Sequence, residues 1–143
     1  MRICIYEDDA YENLYPLVLI RPVYELRCGM LKLWEKVRRS YPEAPISFFM
    51  RDYLAPAWSP KLDGPVNDAS MLKGQDTLFI NGRALWDGID VPLYGGEEAG
   101  VSGDQVVYAR AKAATLAATA SEDAAALVAE LSTAIPNKNT HIK

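Results

Sequence analysis

A chain of 143 residues, half of them apolar and about a quarter charged, has the length and composition of one globular domain around a single core. Its net charge of −4 and isoelectric point near 5.0 argue against nucleic acid as a partner, because phosphate backbones are bound by basic surfaces. No apolar run approaches the roughly 20 residues that cross a bilayer, and acidic residues follow the first strand too early for a signal peptide. The expectation is a cytoplasmic protein without membrane contact.

Residue types narrow the chemistry further. Cys4 in an apolar run and Cys28 beside Gly29 fit neither a disulfide framework nor a metal-ligand spacing, and both are expected to be reduced. His141 is the single histidine, which excludes a His-based triad and a zinc site with several histidines. Carboxylates, Lys, Arg and backbone groups remain.

The first predicted element is a strand over Arg2–Tyr6 (RICIY), apolar and β-branched, ended by the acidic group Glu7, Asp8, Asp9 and Glu12. Open α/β sheets place ligands at the carboxyl ends of strands. Glu7 and Asp8 are therefore candidates for substrate contact, and Asp8 for holding Mg²⁺ together with substrate phosphates. An exposed acidic turn is the plain alternative. A long loop runs on to Arg21-Pro22, with a short extended piece over 17–20.

Apolar residues at 30, 33, 34, 37 and 41 share one helical face and predict a helix over about 30–40, with Gly29 at its start. Residues 21–39 carry Arg21, Arg27, Lys32, Lys36, Arg38 and Arg39 against only Glu25 and Glu35. A glycine opening a helix exposes N–H groups to an anion, and an arginine fork adds bidentate contacts, so Arg27-Cys28-Gly29 is a candidate phosphate cradle. Arg21 and Arg27 are the candidate catalytic residues. The four helix cations read as a solvated face, with Glu35 and Arg39 as an i,i+4 pair, and Gly29 as a simple turn is the competing explanation.

A strand over 46–50 follows, then an irregular stretch over 55–74 carrying Trp58 and a helical turn near 69–71. The next strand, 77–80, ends at Asn81-Gly82-Arg83. There Asn81 and Arg83 are candidates for substrate contact and Gly82 for close approach of a ligand, against a plain Asn-Gly turn. Residues 95–100 predict a turn-rich, mobile segment before a strand over 105–109. The alanine-rich C-terminal third predicts a helix over about 121–135, with Leu127, Val128, Leu131 and Ile135 on one face. Its cap is Thr119 with Glu122, or Ser121, and Pro136 stops it before a polar tail. Trp34, Trp58, Trp86 and Tyr108 read as core or lid residues. The order predicts an α/β fold whose mostly parallel sheet contains residues 2–6, 46–50 and 77–80, flanked by helices.

The opening RICIYEDDAYENLYPLVLIRPVYELRCGMLKLWEK, with the later TLFINGRALW, resembles a known family. It is similar to the sugar nucleotidyltransferases related to the N-terminal domain of the bifunctional N-acetylglucosamine-1-phosphate uridyltransferase and glucosamine-1-phosphate acetyltransferase. The resemblance covers most of the chain, most specifically residues 2–37 and 77–86. It implies a Rossmann-like nucleotidyltransferase fold, and transfer of a nucleotidyl group from a nucleoside triphosphate to a sugar 1-phosphate with release of pyrophosphate and help from Mg²⁺. Where such enzymes carry a glycine-rich loop with a threonine-arginine pair and a glycine-aspartate at the metal site, this sequence has Glu7-Asp8-Asp9-Ala10 and Asn81-Gly82-Arg83. Arg21-Pro22 falls near the family's proline-lysine motif, with Arg21 in place of the lysine.

Such proteins continue into a left-handed β-helix acyltransferase, the part through which a homo-oligomer would form. No hexapeptide periodicity occurs here, so the expectation is one nucleotidyltransferase-like domain over 1–143, either a piece of a longer protein or a stand-alone module. The alternative to an enzyme is a non-catalytic nucleotide-sugar-binding or scaffolding domain attached to an acyltransferase.

Overall fold

The computed structural model describes residues 1–87 and 91–142. The chain begins with β1 (Arg2–Tyr6), whose five side chains are all buried. Ile3 and Ile5 point to one face, and Cys4 and Tyr6 to the other, as the period of two requires. A strand buried on both faces belongs in the middle of a covered sheet, and β1 lies between β4 (Ile46–Phe49) and β5 (Thr77–Asn81), parallel to both.

Beyond β5 the sheet continues through β7 (Gln105–Ala111), β6 (Glu98–Ser102) and β8 (Asn137–Asn139), in the order β4-β1-β5-β7-β6-β8. β7 is antiparallel to both of its neighbours, and β8 is parallel to β6. Two reversals cancel, so β4, β1, β5, β6 and β8 all run one way and β7 alone runs against them. The expected parallel core of residues 2–6, 46–50 and 77–80 is present. One edge of the sheet thus collects the carboxyl ends of five strands and the start of β7.

Helices cover both faces. On the Ile3 and Ile5 side, α1 (Leu33–Ser40) packs Val37 into a cluster with Tyr24, Phe48, Leu78 and Trp86. On the other side, α3 (Ala113–Ala117) and α4 (Ala124–Ala134) bring Leu116, Leu127, Val128 and Leu131 against Cys4, Tyr6 and Phe79. Each of those fully buried aliphatic side chains contributes roughly 1.5–3 kcal/mol. A short α2 (Ala55–Trp58) lies in the irregular stretch. Among the described residues no helix is long and apolar enough to cross a membrane.

The local differences from expectation have physical causes. Residues 30–32 are not helical: β2 (Arg27–Cys28) pairs antiparallel with β3 (Leu31–Lys32), and Gly29, with φ +76°, makes the turn of this hairpin. Met30 at the hairpin tip is 89% exposed, so the periodicity that included it borrowed a residue from outside the helix. Glu35 does not pair with Arg39 but accepts the Lys32 N–H at 2.7 Å, closing the first turn of α1. Lys32 is not a solvated cation either, since its Nζ lies 2.7 Å from the buried Glu25. Residues 9–14 form a 3-10 helix, and residues 17–20 make turns rather than an extended piece.

In the second half, the segment expected to be mobile contributes β6, and the polar tail contributes β8. The cap of α4 is Asp123, whose carboxylate accepts the Ala126 N–H at 3.0 Å, in place of Thr119, Ser121 or Glu122. Trp86 and Tyr108 are core residues, 1% and 2% exposed, packed edge to face.

Candidate functional site

The register of the three parallel strands sets Tyr6 beside Phe49 and Asn81, so the residues that leave β1, β4 and β5 emerge together. These are Glu7 and Asp8, then Met50 and Arg51, then Gly82 and Arg83. In an open α/β sheet this edge is where ligands bind.

Glu7 turns inward. One oxygen accepts the Val23 N–H at 2.8 Å, the other accepts the Arg51 N–H at 3.1 Å, and the Arg51 guanidinium bridges both at 3.1 Å. The pair is almost sealed, with 3% and 9% of the side chains exposed. Burial disfavours the Arg51 charge, but the hydrogen bonds and charge of Glu7 outweigh that and raise its pKa further. Sequence reasoning gave Glu7 to a substrate, and the structure gives it to Arg51. The signal for Arg51 was available, since it directly follows the second parallel strand.

Asp8 faces the other way, toward β5. Arg83 grips it bidentately, Nε to Oδ1 at 2.8 Å and Nη2 to Oδ2 at 2.6 Å, while Asn81 Nδ2 donates to Oδ2 at 2.7 Å. Burial opposes ionisation, yet Arg83 and Asn81 together overcome it and hold the Asp8 carboxyl below its ordinary range. Asn81 also donates to Val106 O and accepts the Arg83 N–H, and Arg83 reaches Gln105 Oε1 at 2.8 Å. Two adjoining clefts of about 380 and 180 Å³ share Asp8, Asp9, Asp123 and Ala125 as walls, and Asp52 and Arg51 line the smaller.

A carboxylate offers about four acceptor positions. Asn81 and two donors of Arg83 take three of those of Asp8, and its charge is paired with Arg83. So engaged, Asp8 is a poor fit for a Mg²⁺ ligand, and among the described residues no three His, Cys, Asp or Glu side chains gather as a metal site.

The remaining candidates divide. Arg21 is exposed on the loop before Pro22, and its guanidinium has no hydrogen bond or ion pair among the described residues. Its carbonyl accepts from Arg51 Nη2 at 2.9 Å, which ties its backbone to the same edge. Arg27 lies on the hairpin, where its side chain donates to Met30 O at 3.0 Å, and among the described residues it has no hydrogen bond or ion pair with another candidate. Gly29 closes that hairpin and is not at a helix N-terminus, so the expected combination of guanidinium, free N–H groups and helix dipole is absent there. Gly82 is buried against Tyr24 and Tyr6. A Cβ at that position would lie 2.6 Å from Tyr24 Cδ1 and 3.0 Å from Tyr6 O.

Missed by sequence reasoning, besides Arg51, are Gln105 and Asp123, which line the clefts from the start of β7 and the cap of α4. A larger cavity, about 530 Å³, lies beside β6 and β8 and is lined in part by Glu98, Tyr108, Lys138 and Ile142. Ile142 also borders a recess of about 140 Å³ formed with Asn81 and Arg83, so the tail reaches the carboxyl edge.

An open, mostly parallel six-stranded sheet with helices on both faces places the chain in the α/β class. Residues 3–142 match the sugar nucleotidyl transferase family, and the chain belongs to it. A comparison with curated proteins finds no match.

Proposed function

We propose that this chain is a sugar-1-phosphate nucleotidyltransferase domain. A phosphate oxygen of a sugar 1-phosphate attacks the α-phosphorus of a nucleoside triphosphate, the bond to the β-phosphate oxygen breaks, and pyrophosphate leaves. The observation that carries this reading is the family match along nearly the whole chain. The same proposal includes a Rossmann-like nucleotidyltransferase fold in one domain, a relation to the uridyltransferase part of the bifunctional enzymes described above, and a cytoplasmic setting.

Phosphoryl chemistry of this kind asks the protein mainly to position phosphates and offset their charge. We assign that contact to Arg21, whose guanidinium is unengaged on a loop anchored to the sheet edge. Arg27 is a second exposed cation, displaced onto the hairpin. Asn81 and Asp8 hold Arg83 at the rim.

A second reading has an observation of its own. Arg83 is already neutralised by Asp8, and the adjoining clefts are walled by Asp9, Asp52 and Asp123, so a triphosphate there meets carboxylates. In that reading the domain binds a finished nucleotide sugar, or scaffolds an acyltransferase, without catalysing transfer.

One experiment separates the two. The protein is given nucleoside triphosphates and hexose 1-phosphates with a magnesium salt while pyrophosphate release is followed, and nucleotide sugars are screened by thermal shift. Saturation at 100 times the dissociation constant adds about 2.7 kcal/mol of stability. Pyrophosphate release that falls tenfold or more in R21A supports the enzyme. Stabilisation by nucleotide sugars without release supports the binding domain, and neither response refutes both the enzyme and the nucleotide-sugar binder, leaving the scaffold.

A further inference from the structure

The loop that carries Arg21 is held from behind by a row of donors. Four successive carbonyls accept side-chain hydrogen bonds from the segment after β4: Val18 and Arg21 from Arg51 Nη2 at 2.7 and 2.9 Å, Leu19 from Tyr53 Oη at 3.0 Å, and Ile20 from Trp58 Nε1 at 3.0 Å. With these carbonyls satisfied, Val18 is fully buried while Leu17, Leu19, Ile20 and Arg21 stay exposed. Such a loop has no strand or helix of its own and would otherwise lose conformational entropy whenever it bound a ligand.

Arg51 is the node of this arrangement. Its Nε and Nη2 are engaged with Glu7, its Nη1 donates to Tyr53 Oη at 2.7 Å, and its guanidinium carbon sits 4.2 Å from the centre of the Tyr11 ring. One planar group therefore joins the ends of β1 and β4 to the loop.

We propose that Arg51 is the positioning residue for Arg21: anchored on Glu7, it fixes the loop backbone so that the Arg21 guanidinium stands ready for an anionic ligand that Arg51 itself does not touch. The proposal rests on the assignment of Arg21 to phosphate made above. Lysine keeps the charge opposite Glu7 but cannot span two carbonyls and a carboxylate as a planar fork can, so R51K isolates the positioning role from the ion pair.

Inorganic pyrophosphate is the probe, because its release is independent of base and sugar. Its affinity is measured for the wild type, R21A, R51K and the double variant, and thermolysin cleavage within residues 17–20 is timed in parallel. Arg21→Ala is expected to weaken binding tenfold or more and Arg51→Lys three- to tenfold. The double variant should bind no more weakly than R21A alone, since coupled residues are not additive. Cleavage of the loop should be faster in R51K.

If Arg51→Lys costs the same factor with and without Arg21, or costs nothing while R21A does, the positioning role is overturned and the assignment of Arg21 stands. If R21A binds pyrophosphate as the wild type does, the assignment of Arg21 fails first, and the positioning role falls with it. Should R51K not fold, Tyr53→Phe enters the same cycle. It removes the donor to Leu19 and the partner of Arg51 Nη1 at an exposed position, and coupling or additivity with R21A decides as before.

Discussion

Glu7 and Asp8 are neighbours in sequence with opposite commitments, because alternate residues leaving a strand face opposite sides. Glu7→Gln exchanges a buried carboxylate for an amide that cannot accept from Arg51 and two backbone N–H groups together, and it strands the Arg51 charge. It is expected to cost about 3 kcal/mol or more, seen as a lower urea midpoint at unchanged slope. Asp8 gives a pH-dependent effect instead. Its folded pKa lies below the ordinary 3.8, so its stabilising contribution is complete above that value and is lost as the pH falls through the lower folded pKa. Asp8→Asn should therefore lose about 1–2 kcal/mol at pH 7, a gap to the wild type that closes in acid unfolding below about pH 3.8. A gap that persisted unchanged at low pH would mean that Arg83 does not act through the Asp8 charge. Sequence located these carboxylates at a strand end correctly. It could not give their partners, because Arg51 and Arg83 lie far along the chain and meet them only once three strands are in register.

At the scale of elements, the parallel core strands were legible and the helix starts were not. Residues 2–6, 46–49 and 77–81 are mostly apolar and buried along their whole length, a pattern that buried parallel strands impose on sequence. The hairpin before α1 is different: Met30 falls on the helical spacing of residues 33, 34, 37 and 41 by coincidence, and the deciding signal is the positive φ at Gly29, which a helix start does not need. Gly29→Ala tests this. A Cβ there meets nothing within 4 Å, so the cost is confined to the left-handed backbone, about 1 kcal/mol, with pyrophosphate affinity unchanged. A fall in anion affinity without loss of stability would restore Gly29 to the site. The cap of α4 lies two residues beyond Ser121 and four beyond Thr119 for a similar reason: several short polar residues precede the helix, and packing of Ala124 and Leu127 into the core selects Asp123.

Over the whole molecule, composition and strand order gave the α/β class and the parallel core, but not the antiparallel passage through β7 or the tail strand. Neither leaves a mark in sequence: Asn137-Lys138-Asn139 is fully polar and exposed, and it pairs only because β6 presents a free edge. That short strand has a colloidal consequence. A sheet with an open, flat border invites copies of itself to extend it into aggregates, and short charged border strands discourage this. Here one border is three residues long with Lys138 at its centre, and the other, β4, is covered where Phe48 exchanges backbone hydrogen bonds with Pro65 and Asn67. Lys138→Val removes the charge and raises β-propensity on the first border alone. On concentrating the protein, this variant should scatter light well before the wild type does, with its melting temperature nearly unchanged, whereas equal scattering would mean that solubility is guarded elsewhere on the surface.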